Sequence, residues 1–250
     1  MLRFALGLLL SSSFVCAQAP APLQTQTATV TASTVTTQAI AAFSALPVTQ
    51  IQLSGTAKAY AGSSQPSGTF TATLKSTGES TLQLNMDALS RTETAGPWAS
   101  PPQCAWTGTD GVQHSAADHN CRVALTWLVP DLTLQARVTS LAQQLSAASE
   151  TAPGTYRLSL SESHSEFSPD LNTLLNNLST AKLAVDQITF LPATLDFNLH
   201  PDKDANTNIA IEVRYTDYRQ VNGATIPFHI QRYLNNGLAL DLQVETAVVQ

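Results

Sequence analysis

The stretch Asn208-Ile-Ala-Ile-Glu-Val-Arg-Tyr-Thr-Asp-Tyr218, followed by Val221-Asn222-Gly223, Ile226-Pro-Phe-His-Ile230 and Leu238-Ala-Leu-Asp-Leu-Gln-Val-Glu245, decides the fold class. Apolar and polar residues alternate in three runs, and turn residues separate them. Successive side chains of a strand point to opposite faces, so these runs form an antiparallel meander with one apolar and one polar face. An apolar strip that wide has to be covered by a helix, a second sheet or a ligand. Function turns on which of these covers it.

The same alternation recurs upstream. Ile51 to Tyr60 reads as a strand. Gly68 to Leu74 places Phe70, Ala72 and Leu74 on one face, Thr81 to Met86 does the same with Leu82, Leu84 and Met86, and Thr77-Gly78-Glu79 turns between them. Tyr156 to Ser161 is a further strand. From Val185 strands resume, with Leu195, Phe197 and Leu199 sharing a face. Helical spacing is expected over Gln38 to Ala45, carrying Ile40 and Phe43. It is also expected from Pro130 to about Ser149 and over Asp170 to Leu183, where Leu171, Leu174, Leu175 and Leu178 share a face. Trp98 to Cys121 reads as a loop with a short hairpin, and Asn120 as a cap for the helix after it. Strands, a helical middle and more strands make an α+β plan: one curved antiparallel sheet with helices packed on its concave side.

At the N-terminus Met-Leu-Arg3 precedes an apolar run from Phe4 to Leu10, and Val15-Cys16-Ala17 has small residues where a signal peptidase reads. Residues 1–17 therefore read as a secretory signal peptide. A lipoprotein reading would instead cleave before Cys16. Gln18 to Thr36 is a Pro-, Ala-, Gln- and Thr-rich flexible tether, and residues 37–250 form the domain. No stretch approaches the roughly 20 apolar residues of a membrane span. A net charge of −6 and only 12% charged residues argue against nucleic acid as a partner, since phosphate binding needs clustered Lys or Arg. With 43% hydrophobic residues the chain can bury a core, and it is expected to act as a monomer.

The order of elements, with the ending Val213-Arg-Tyr-Thr-Asp-Tyr-Arg-Gln-Val-Asn-Gly223 and Ile226-Pro227-Phe228, resembles the lipoprotein-carrier superfamily of LolA, LolB and LppX-like proteins. The resemblance spans Gln38 to Val249. It implies export, a half-open β-barrel and a helical lid. The arginine with which the well-studied carrier grips its cargo has no clear match, and Arg91 is the candidate. The Cys104 to Cys121 loop is not a general feature of that superfamily.

Three clusters carry alternative chemistry. Cys104, His114, Asp118, His119 and Cys121 could hold zinc, but an even cysteine count in an exported chain reads as a Cys104–Cys121 disulfide. Asp202, Asp204 and Asn206 resemble the start of a calcium loop, but Thr207 and Val213 stand where its glycine and glutamate belong, so a polar turn is expected. Glu162, His164 and Glu166 alternate on one strand face and read as a solvated edge. No Gly-x-Ser-x-Gly elbow or phosphate-binding loop occurs. The expectation is a non-enzymatic periplasmic protein without cofactor or metal. It binds a lipid, an acylated peptide or another apolar ligand between sheet and lid, lined by Phe70, Leu82, Leu84, Leu174, Leu178, Phe197, Ile211, Val213 and Phe228. The alternative is a cell-envelope scaffold whose half-barrel is filled by its own side chains and which binds a partner protein at its surface.

Overall fold

Period-two alternation becomes one sheet. The computed structural model describes residues 30–87, 89–97, 103–124, 127–138, 146–152, 154–160, 168–201 and 203–250. The expected signal segment, the tether up to residue 29, Glu162, His164, Glu166 and Asp202 lie outside the described residues. The first half comprises α1 (Ala32–Phe43), then β1 (Gln50–Ala59), β2 (Ser67–Lys75), β3 (Ser80–Met86), β4 (Leu89–Ala95), β5 (Cys104–Thr107) and β6 (Gln113–Ser115). Two helices follow, α2 (Asp118–Ala124) and α3 (Pro130–Val138), then β7 (Ser146–Ala152), β8 (Thr155–Leu160) and α4 (Pro169–Leu178). The chain closes with β9 (Ala181–Asp186), β10 (Pro192–Leu199), β11 (Ile209–Val221), β12 (Ala224–Leu234) and β13 (Gly237–Val249).

Among the described residues the sheet has 13 strands in the order β6-β5-β4-β3-β2-β1-β13-β12-β11-β10-β9-β8-β7. Every pairing is antiparallel. Two consecutive meanders are thus joined by one long-range pair, β1 with β13. The sheet is open, with β6 and β7 at its edges, and its curvature makes it a half-barrel. Helices pack on the concave face, as the element order implied. The β11–β12 hairpin turns at Asn222 and Gly223, both at positive φ (48° and 84°), the conformation that a two-residue type I′ turn requires.

The inner face forms rows of directly paired residues. Leu158 pairs with Leu183, Leu183 with Leu195, and Leu195 with Val213, and all four are fully buried. On the other half Phe70 pairs with Leu84 and Ala72 with Leu82. Helix α1 lays Val35, Ala39 and Phe43 onto this core, and α3 adds Leu132 and Leu134. Polar ties hold the helices in place. Gln135 accepts from Val48 N at 2.8 Å and donates to Leu46 O at 3.1 Å, and Thr225 Oγ1 donates to Ala42 O at 2.9 Å.

Several local expectations are corrected. Helix α1 begins at Ala32 rather than Gln38, so Ala32 to Thr36 of the expected tether are helical. Its Thr-rich start hides the four-residue spacing of Val35, Ala39 and Phe43, and burial of that face overrides the weak propensity of threonine. Thr31 caps it, its Oγ1 accepting from Thr34 N at 3.2 Å. The helix from Pro130 ends at Val138 instead of Ser149, and Ser146–Ala152 is strand β7. Pairing with β8 decides the state of that small-residue run. Helix α4 ends at Leu178 rather than Leu183. The hydroxyls of Ser179 and Thr180 take the carbonyls of Leu175 and Asn176, each at 2.5 Å, and Leu183 is left for the buried row of the sheet. Asn120 lies inside α2 and does not cap it.

Candidate functional site

A cavity of about 380 Å³ opens between the inner face of the sheet, α2 and the segment joining α2 to α3. Its apolar wall is made by Leu82, Leu128, Phe197, Leu199 and Ile211, and its polar end by Arg91, Glu93 and Arg232. The register explains both. Leu82 pairs with Glu93, and Glu93 with Trp106, so the inner row of β3 runs into a carboxylate and then an indole. In the opposite half, the row Leu158, Leu183, Leu195 and Val213 continues to Arg232 and then Leu240. Glu93 and Arg232 are therefore charged residues at inward positions of otherwise apolar rows.

These charges meet across the concavity. Arg91 Nε donates to Glu93 Oε1 at 2.7 Å, and Arg232 Nη1 lies 3.6 Å from Glu93 Oε2. Burial alone would raise the Glu93 carboxyl, but the Arg232 and Arg91 guanidiniums outweigh it and hold it below its ordinary range. Each guanidinium also covers an indole: Arg91 stands 4.4 Å from the Trp106 ring centre and Arg232 4.7 Å from that of Trp127. Tyr215 anchors the main chain that carries the second indole, donating its hydroxyl to the Trp127 carbonyl at 2.6 Å.

The cavity rim is stapled. Cys104 on β5 and Cys121 on α2 are disulfide-bonded, with Cα atoms 5.5 Å apart. The neighbouring Asn120 donates to His200 O at 2.7 Å and accepts from His200 N at 2.8 Å, which ties α2 to the end of β10. With both sulfurs bonded to each other, the zinc reading has no thiolate to use. His114 stacks on Trp106 with ring centres 4.1 Å apart, and His119 lies edge-on to His200. Among the described residues no group of three or more His, Cys, Asp or Glu could hold a metal. Asp204 closes a polar turn, accepting from Asn206 N at 3.0 Å and from the Thr207 hydroxyl at 2.5 Å.

Of the nine residues chosen from the sequence as lining, Leu82, Phe197 and Ile211 face the cavity. Phe70, Leu84, Val213 and Phe228 are buried in the core beyond it. Helix α4, expected to cover the concave face through Leu174 and Leu178, buries no residue, and Leu174 is 50% exposed. That place is taken by α1 and α3. Arg91 does stand at the site. Glu93, Arg232 and the two indoles were missed, although strand parity alone puts Arg232 on the face of Ile230.

No family model matches the chain, and no curated protein matches it. Solved structures do. A Vibrio parahaemolyticus domain, provisionally described as an outer membrane lipoprotein-sorting protein, superposes with a TM-score of 0.52 at 8% identity, over 88% of this chain and 92% of that one. A DUF1329 family protein from Desulfovibrio piger gives 0.51 at 8% identity, over 86% and 90%. The fold is of the lipoprotein-carrier type. A LolA superfamily protein from Nitrosomonas europaea also aligns, with a TM-score of 0.47 at 16% identity over 88% of this chain and 94% of that one. At 8% identity the first two likenesses show a shared fold alone, and the work that fold does here has to be argued from its own cavity.

Proposed function

We propose that this protein is an exported, non-enzymatic binding protein whose carrier-type half-barrel holds an apolar ligand. The carrying observation is the cavity of about 380 Å³ with a continuous wall of Leu82, Leu128, Phe197, Leu199 and Ile211. That volume is at the lower end of ligand pockets. At roughly 30 Å³ per water-sized group it takes about a dozen non-hydrogen atoms, the bulk of one acyl chain. Burying each methylene contributes about 0.8 kcal/mol, so one chain gives useful, reversible affinity.

Binding rather than catalysis is supported by the state of the titratable groups at the cavity. Glu93 is held ionised between two arginines and so is poorly suited to exchange protons near neutral pH. Export to the periplasm is supported by the signal-like residues 1–17 and by the Cys104–Cys121 disulfide, which persists in oxidising compartments. Among the described residues no helix is long and apolar enough to cross a membrane.

Native mass spectrometry of the secreted protein before and after organic extraction tests this reading. A discrete adduct of lipid mass, lost on extraction, is expected. A second reading, an envelope scaffold, draws on the extent to which α1 and α3 fill the concavity, with Phe43 and Leu134 fully buried. Bare polypeptide mass, together with no uptake of added single-chain amphiphiles, would favour it.

A further inference from the structure

We infer that the cavity selects a single-chain amphiphile bearing one negatively charged head, a carboxylate or a phosphate, seated between Arg91 and Arg232. This rests on the binding reading above and names the class of ligand.

The charge count comes first. Two guanidiniums face one carboxylate, and among the described residues that line the cavity Glu93 is the lone acidic one. The site therefore carries one uncompensated positive charge. The side chains of Arg91, Glu93 and Arg232 are 33%, 21% and 24% exposed, so water solvates that charge only in part. A partly desolvated cation without a counter-charge is costly, and an incoming anion relieves the cost.

The geometry of the donors comes second. A guanidinium has five N–H donors around its edge. Arg91 directs one nitrogen, Nε, to Glu93, and Arg232 approaches it through Nη1. The faces of both groups are taken by Trp106 and Trp127. Each guanidinium lies against an indole, which leaves its edge as the hydrogen-bonding surface, an arrangement suited to bridging the oxygens of a carboxylate or phosphate. No other described protein group takes up the remaining donors.

The third observation is the asymmetry of the cavity. Its charged end is followed by Leu82, Phe197, Leu199 and Ile211, so a head bound at the arginines directs its chain along an apolar wall. The protein as a whole has a formal net charge of −6, so its overall field does not draw anions. Preference for an anionic head has to come from this cluster alone.

The experiment is a binding series on the intact secreted protein, read by tryptophan fluorescence and calorimetry. The probes are decanoate, decyl phosphate, decan-1-ol and decyltrimethylammonium. Both anions are expected to bind about 10-fold or more tightly than the alcohol, and the cation more weakly than the alcohol. The anion preference should shrink with added salt. Glu93→Gln should tighten the anions further, and by a larger factor than it changes decan-1-ol. Arg232→Gln and Arg91→Gln should abolish the preference, and the Lys variants should restore part of it. Stronger binding of decanoate would identify a fatty-acid source for the head, and stronger binding of decyl phosphate a phospholipid source. Equal binding of decan-1-ol and the anions would overturn the inference and leave the apolar-ligand reading intact. Failure of all four probes to bind would overturn both. Because Glu93→Gln adds net charge without removing either arginine, it decides the matter even if an arginine variant does not fold.

Discussion

Arg232 and Glu93 approach to 3.6 Å although their strands are far apart in the sheet. From β12 to β4 the order passes through β13, β1, β2 and β3. At a strand spacing of about 4.8 Å that contour is roughly 24 Å. Only a strongly curled sheet brings the two side chains together, so the pair reports the closure of the half-barrel.

The pair gives stability a pH dependence. The Glu93 carboxyl is held below its unfolded value by Arg232 and Arg91, against the effect of burial. A depressed carboxyl contributes stability that is present above its unfolded value near 4.5 and is lost as pH falls through its folded value. Glu93→Gln should lack that acid-side loss. Arg232→Leu should destabilise the wild-type background by about 1–2 kcal/mol at pH 7, less than a fully buried pair because both partners keep some solvent contact. Urea denaturation at pH 3.5, 5 and 7 measures both effects, and identical pH profiles for wild type and Glu93→Gln would refute the first.

Asp131 should behave in the opposite sense. It is fully buried at the start of α3, among the described residues no side chain bonds either carboxyl oxygen, and burial, outweighing its own main-chain N–H, raises it well above its ordinary value. Its charge would also act on the Tyr215 and Tyr218 hydroxyls, which burial raises first. A raised carboxyl leaves stability intact below its unfolded value near 3.8 and erodes it as pH rises toward the folded value. Asp131→Asn should therefore stabilise the protein at pH 7 by about 1–3 kcal/mol, with the gain vanishing near pH 3. A variant that is less stable than wild type at neutral pH would show that Asp131 has a partner.

Gly55 sits where the β1–β13 register shifts by one residue. A Cβ there would lie 2.0 Å from Gln243 O, a distance that no side chain tolerates. The bulge and the missing side chain together let the two meanders join at a bend. Gly55→Ala should cost about 1–3 kcal/mol and lower the melting temperature. Gly111→Ala, with open space around its Cβ but a φ of +72°, should cost less.

The disulfide spans 17 residues and staples α2 to β5 at the cavity rim. Cys104→Ser with Cys121→Ser should lower unfolding free energy by about 3 kcal/mol in the chain-entropy model. Because Cys104 and Asn120 both line the cavity, the same variant should release a bound amphiphile faster. Stopped-flow exchange against a fluorescent fatty acid measures this, and unchanged exchange would place ligand entry elsewhere on the cavity.

Sequence by itself determined the α+β class, the final meander and its Asn222-Gly223 turn, the β2–β3 hairpin and the pairing of Cys104 with Cys121. These are legible because a period of two and a turn of two residues are local properties of the chain. Tertiary structure alone decided that β1 joins β13, that α4 stays uncovered while α1 and α3 fill the concavity, and that Arg91, Glu93 and Arg232 share one cavity. Alternation assigns a residue to a face but does not say how tightly the sheet curls or which helix reaches it first. Within β11 even parity fails. Asp217 adopts a positive φ of 54°, and the inward series passes from Tyr215 to Tyr218, whose hydroxyl donates to Pro192 O at 2.8 Å. Side-chain direction there is set by one backbone dihedral and by a partner on another strand, neither of which the order of residues displays.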